Sequence, residues 1–208
     1  LKKFHPLVSF IFTPIGATLW CLLALTGIAF TLSNVTGLDR QASGILAPSN
    51  LMYLYASFAA IKIVHEFAHG FACKAFGVKN GSGGPVHTMG IMLMILTPIP
   101  YVDCSSSWAL KSKWQRMMIA GAGMIAELMI AAIAVIIWTQ SSEGSLWHAL
   151  AYNVMFVTSV STLLFNGNPL LRYDAYYMLS DYWEIPNLAS QSNQYFFYLF
   201  KRYIFGVD

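Results

Sequence analysis

The chain has 208 residues, 57% hydrophobic and only 10% charged, with twelve Lys/Arg against nine Asp/Glu and a net charge of +3. Soluble domains carry roughly a quarter charged residues, so this composition excludes an ordinary soluble domain, a disordered chain and a coiled coil. The small, scattered positive excess offers no nucleic-acid surface. Three dispersed cysteines, Cys21, Cys73 and Cys104, include no Cys-x-x-Cys pair and specify neither a disulfide framework nor a Cys-based zinc module.

Crossing a bilayer takes about 20 largely apolar residues. A first span is expected at about 8–32, inside a charge-free run that is too long for a signal-peptide core and lacks a small-residue cleavage site. A second, at about 50–76, begins in an uncharged run and continues as a helical pattern past Lys62. Residues 80–85 are a Gly/Pro breaker cluster. Residues 89–100 are apolar but too short to span and contain Pro98 and Pro100. They read as a re-entrant or interfacial hairpin, which a bilayer tolerates only where the backbone is buried in protein or faces water, or else as a cytosolic loop with an apolar strand. A third span, at about 115–138, has Arg116 at its start and Glu127 as its single interior charge; a fourth lies at about 146–165. Asn168 and Pro169 then suit the cap and first position of a short helix over 169–180. Residues 195–205, with Lys201 and Arg202, read as an interfacial helix or the start of another span. The expected architecture is an all-α polytopic membrane protein, one domain over 1–208 within a longer chain.

Positive charges mark cytoplasmic ends. With the N-terminus inside, Lys2, Lys3, Lys74, Lys79, Lys111, Lys113, Arg116 and Arg172 fall on the cytoplasmic side and Arg40 alone falls outside. The second and fourth spans then both descend toward the cytoplasm.

Ionisable residues within a span are costly and mark function. The second span holds four: Lys62, His65, Glu66 and His69. His65-Glu-Phe-Ala-His69 is H-E-x-x-H, a spacing that leaves the two imidazoles about 40° apart on one helical face, where they can grip one metal ion. Glu66 lies between them in angle, placed to take a proton from water on that metal without being a ligand. Chance alone gives such a motif in roughly 0.2% of chains of this composition, and unpartnered burial of these groups would be costly.

Catalytic zinc usually has three protein ligands. Candidates for the third are Asp174, Asp103, Glu127, His87 and Cys73. Cys73 extends the same helical line and reads as a small apolar residue near the helix end, and His87 as a solvated loop residue. Glu127 suits a site-lining role, with Gly123 one turn before it and Ala126 beside it allowing another helix close. Asp174, placed about one and a half turns into the short helix, comes at the same depth as the two histidines and is the strongest on position. Lys62, one turn before His65, is a partner for a carboxylate or a substrate group, or a long side chain reaching water in the site.

With its H-E-x-x-H followed by Asn168-Pro-Leu-Leu-Arg-Tyr-Asp174-Ala175, the chain resembles the site-2 protease family of intramembrane zinc metalloproteases. It is most similar to a bacterial branch of peptide zinc metalloproteases, over about 61–190. The resemblance implies Zn2+ held by His65, His69 and Asp174, Glu66 as general base, and Asn168 as a polar group that holds substrate or an oxyanion. Ala175 stands where the family has Gly after the ligand Asp, and Met124 where much of it has Pro after Gly. The implied activity is hydrolysis of a peptide bond in a membrane-embedded or membrane-associated protein or peptide, in a bacterial inner membrane. The 89–95 run would offer an edge to an extended substrate. The rival expectation is a non-proteolytic zinc-binding component of a peptide secretion or immunity complex, for which Glu66 would be unnecessary. A metal or ion transporter would place ionisable residues in more spans.

Overall fold

A computed structural model describes residues 10–81, 86–94 and 97–206, without the side chains of Met94 and Thr97. The chain is mostly helical: α1 (Pro14–Ser33), α2 (Val35–Ala42), α3 (Leu51–Lys79), α4 (Lys113–Ala120), α5 (Ala122–Gln140), α6 (Leu146–Val160), α7 (Asp174–Trp183) and α8 (Leu188–Ile204). A two-stranded antiparallel hairpin, β1 (Met89–Met94) with β2 (Thr97–Val102), interrupts them in the register Met89↔Val102 to Met94↔Thr97. Lys2, Lys3 and residues 82–85 lie outside the described residues, as do residues 95 and 96 between the strands.

Three helices among the described residues are long and apolar enough to cross a membrane: Pro14–Ser33, Ala122–Gln140 and Leu146–Asn166. α3, at 29 residues, has the length, but its polar groups lower its hydropathy. The third span differs from expectation at its start. Instead of running unbroken from 115, the helix stops at Ala120 and restarts at Ala122. Gly121 sits tightly against Met178 of α7, so α4 can turn aside to pack on α7 while α5 enters the bundle.

Pairings along the helices fix their directions. Trp20 donates to the Ile125 carbonyl, Gly27 meets Ala132 and Gly37 meets Trp138, so α1 and α5 run parallel. Asn50 pairs with Asn153 and Lys62 with Ser161, so α3 runs with α6; Lys62 also meets Glu127, and His69 meets Ile119, so α3 opposes α5. α1 and α5 thus point one way, and α3 and α6 the other. Small residues permit the contacts: a Cβ on Gly27 would lie 2.8 Å from that of Ala132. The bundle surface is apolar, with Leu22, Leu25 and Leu32 of α1 all more than half exposed, as suits hydrocarbon rather than water around it.

One apolar cluster, at the end away from the histidines, gathers Ile45, Val135, Trp138, Tyr152 and Met155. Beside it, Asn50 and Asn153 exchange two carboxamide hydrogen bonds of 2.8 and 2.9 Å, and Asn153 is 1% exposed. Asn153→Ala would strip a buried partner from Asn50, and a loss of about 1 kcal/mol is expected for an interhelical bond in a membrane protein; an unfolding titration in mixed micelles measures it. A second cluster, of Ala72, Cys73, Leu110, Ile119 and Ala122, joins α3 to α4 and α5. α8 has no buried residue and meets α7 through the Ala189 N–H, which donates to the Tyr176 hydroxyl.

Candidate metal centre

His65 and His69 stand one turn apart on α3. The helix forms there because 51–79 holds neither Pro nor a capping break, and Ile61, His65, Ala72 and Cys73 turn inward at helical spacing. His69 Nδ1 lies 2.8 Å from the Ile119 carbonyl oxygen. A carbonyl only accepts, so the proton sits on Nδ1 and the lone pair is left on Nε2. His65 Nδ1 lies 2.9 Å from Glu127 Oε1, off the line of a hydrogen bond.

Asp174 completes the group from 105 residues further along. The expected helix from Pro169 is not formed. Asn168 turns its carboxamide oxygen to the Leu170 N–H at 3.0 Å, the chain bends through 169–173, and α7 starts at Asp174 after an extended Tyr173. Asp174 is therefore the first residue of its helix, not one placed one and a half turns in. α7 is fastened by Arg116, whose Nε donates to Asp181 at 2.6 Å and whose Nη1 donates to the Leu110 carbonyl, and by Lys113 donating to the Tyr182 carbonyl.

The donor atoms fit zinc. His65 Nε2 and His69 Nε2 are 3.1 Å apart, and Asp174 Oδ2 lies 3.3 and 3.4 Å from them. Tetrahedral zinc with bonds of 2.0–2.1 Å sets its ligands about 3.3–3.4 Å apart. Asp174 Oδ2 is buried and accepts no hydrogen bond among the described residues, although buried carboxylate oxygens are normally satisfied. Gly123 of α5 closes the back of the group: a Cβ there would come within 2.5 Å of the Nε2 atoms of both histidines.

Glu66 is half-buried, accepts no hydrogen bond among the described residues, and lines a cavity of about 730 Å³ between α3 and α6 that also touches Lys62, His65, Ile99, Asn166 and Asp174. Lys62 does not reach out to bulk water: its Nζ donates to Glu127 Oε1 at 3.0 Å and to Ser161 Oγ at 2.5 Å. Of the other third-ligand candidates, His87 is exposed and Asp103 accepts the Ser105 N–H, which with the Ser105 hydroxyl keeps its carboxyl low. Cys73 packs in the apolar cluster against Ser106.

The structure puts Asn166, rather than Asn168, on the cavity wall. From the sequence, the segment Ser161–Asn166 contributes to the family resemblance, but Ser161, Thr162 and Asn166 are given no role in the site. The signal was there, a polar cluster closing an apolar run, but it carries no formal charge. These residues form a π-turn at the end of α6, closed by the Gly167 N–H on the Thr162 carbonyl at 2.7 Å, and π-turns recur at functional sites.

A family model described as Peptidase family M50 matches residues 53–180, which include every residue of this centre. No curated protein and no solved structure matches the chain.

Proposed function

Because that match covers more than half of its length, the chain belongs to peptidase family M50, zinc metallopeptidases of the intramembrane type, and we propose that it hydrolyses a peptide bond of a membrane-embedded or membrane-associated protein or peptide, with Glu66 as general base. The observation that carries this reading is the triangle of His65 Nε2, His69 Nε2 and Asp174 Oδ2 beside an unengaged Glu66 on a cavity wall. His65, His69 and Asp174 would hold the metal. When bound, zinc supplies a Lewis acid that polarises a carbonyl and lowers the pKa of water toward 7.

The chain's own groups do the rest. The Glu66 carboxylate takes the proton of the attacking water and returns it to the leaving amine. Lys62, Ser161 and Asn166 give the cavity a polar wall in otherwise apolar surroundings, and Asn168, two residues beyond Asn166, is kept as a proposed group for holding substrate. A helical substrate hides its amides, so the scissile stretch must be extended. β2 lies toward α3, with Val102 against Gly70. It also carries Pro98 and Pro100, which offer no N–H. The free edge of β1 is thus the one with regular donors and acceptors, and a strand can add there. Pro substitutions at Ile91 or Met92 are expected to cut cleavage of a membrane-tethered substrate at least tenfold with zinc content unchanged; unaltered cleavage in gel-based assays would remove β1 from the reading.

α3 is the fourth crossing in this proposal, its charges facing the bundle interior, and the metal centre lies toward the cytoplasm. Lys74, Lys79, Lys111, Lys113, Arg116 and Arg172 cluster at that end and Arg40 at the other, which supports a cytoplasmic N-terminus and, by the resemblance, a bacterial inner membrane. Family membership favours the peptidase over a non-proteolytic secretion component. The deciding test is metal analysis of purified protein: about one zinc per chain, lost in His65→Ala and Asp174→Ala. A parent protein that neither binds zinc nor cleaves membrane-tethered peptides would defeat the proposal.

A further inference from the structure

We infer that the buried ion pair between Lys62 and Glu127 is a positioning device for the metal ligand His65, an inference that rests on the metallopeptidase reading of the site. Hydrolysis as described uses neither residue. Yet Glu127 is 0% exposed inside α5, a place where an unpaired carboxylate is strongly disfavoured. Among the described residues it is the buried side chain with the most side-chain hydrogen bonds. Oε1 receives Lys62 Nζ at 3.0 Å, Ser161 Oγ at 3.1 Å and Asn166 Nδ2 at 3.4 Å, and Oε2 receives Thr162 Oγ1 at 2.6 Å. The π-turn makes this possible, because its wider turn brings Ser161, Thr162 and Asn166 around one carboxylate.

Held on four sides, Glu127 presents Oε1 2.9 Å from His65 Nδ1. The contact is off the line of a hydrogen bond, but an anion at this distance favours the tautomer with its proton on Nδ1, which leaves the Nε2 lone pair for the metal. Carboxylate partners of this kind raise the basicity of a ligating histidine and fix its ring. Lys62 has the second part of the task. It neutralises Glu127, so that the carboxylate stays in place rather than turning to the dication itself.

The charges make the inference testable by sign. In Glu127→Gln the Lys62 ammonium is left unpaired next to a dication site, and His65 loses its anionic partner; zinc affinity should fall 10–100-fold. Lys62→Met should cost less, since Ser161, Thr162 and Asn166 still grip the carboxylate. The double variant Lys62→Met/Glu127→Gln removes the stranded ammonium and should bind zinc more tightly than Glu127→Gln alone, an order that loss of packing would not produce. Cobalt(II) loaded in place of zinc gives a second readout: its visible absorption should shift in Glu127→Gln while helix content by circular dichroism is kept. Should Glu127→Gln not accumulate as folded protein, the electrically neutral double variant carries the test: it is expected to bind zinc about tenfold more weakly than the parent because His65 lacks its carboxylate, and parent-level affinity there would overturn the inference. The inference is overturned if Glu127→Gln matches the parent in zinc affinity and cobalt spectrum, or if the double variant binds more weakly than Glu127→Gln. Either result would leave the peptidase reading standing. A parent that binds no metal overturns both.

Discussion

Gly123→Ala is expected to abolish zinc binding and cleavage together. The added methyl would lie 2.4 Å from His65 Cε1 and 2.5 Å from the Nε2 atoms of His65 and His69, where carbon needs more than 3 Å. The rings have little room to give: His69 is tied to the Ile119 carbonyl, and His65 faces Glu127. Relief must come from a movement of about 1 Å between α3 and α5, whereas a metal site tolerates errors of about 0.2 Å in its ligand distances. Overpacking of this kind costs about 1–3 kcal/mol, offset in part by the better helix propensity of Ala, so the bundle should survive. Zinc per chain should fall from about one to near zero with helix content by circular dichroism unchanged. Parent-level zinc in Gly123→Ala would show that α5 does not back the metal centre.

Glu66→Gln should produce the complementary result. The substitution keeps shape and removes the proton acceptor, and because Glu66 is not one of the three converging donor atoms, zinc should stay near one per chain. Cleavage of a membrane-tethered substrate should drop by about 10²–10⁴, about 3–5 kcal/mol on the barrier. Together the two variants separate holding the metal from using it. Parent-level turnover in Glu66→Gln would require another base.

Much of this centre can be read from residue order. H-E-x-x-H names a helical face whatever the surroundings, because four residues of α-helix return to nearly the same angle. Glu127 stands out because a charge in an apolar span needs a reason, and Lys62 is the nearest cation in an otherwise charge-poor interior. The features that escape sequence reading depend on partners distant along the chain. Gly121 breaks the third span because Met178 lies against it, 57 residues on. The π-turn at Ser161–Asn166 depends on Glu127 drawing three uncharged side chains inward, and no local propensity announces it. The helix start at Asp174 was misplaced because Asn168-Pro169 is a good local cap signal; the structure uses Asn168 for a turn that delivers the carboxylate to the histidines.

The distance of Asp174 from its fellow ligands along the chain sets an order of events during synthesis. A ribosome releases residues 65–69 well before 174, so in the proposed topology α3 would enter the membrane with two imidazoles and no carboxylate, and α5 and α6 would follow before the proposed third donor arrives. The contacts with Ile119 and Glu127 that steady His69 and His65 also come from chain made later. A protease with its active centre inside the bilayer that ripened early could cut its neighbours while still half inserted. In the proposed site the third ligand comes after α5 and α6, and full metal affinity would be deferred until the bundle around it exists.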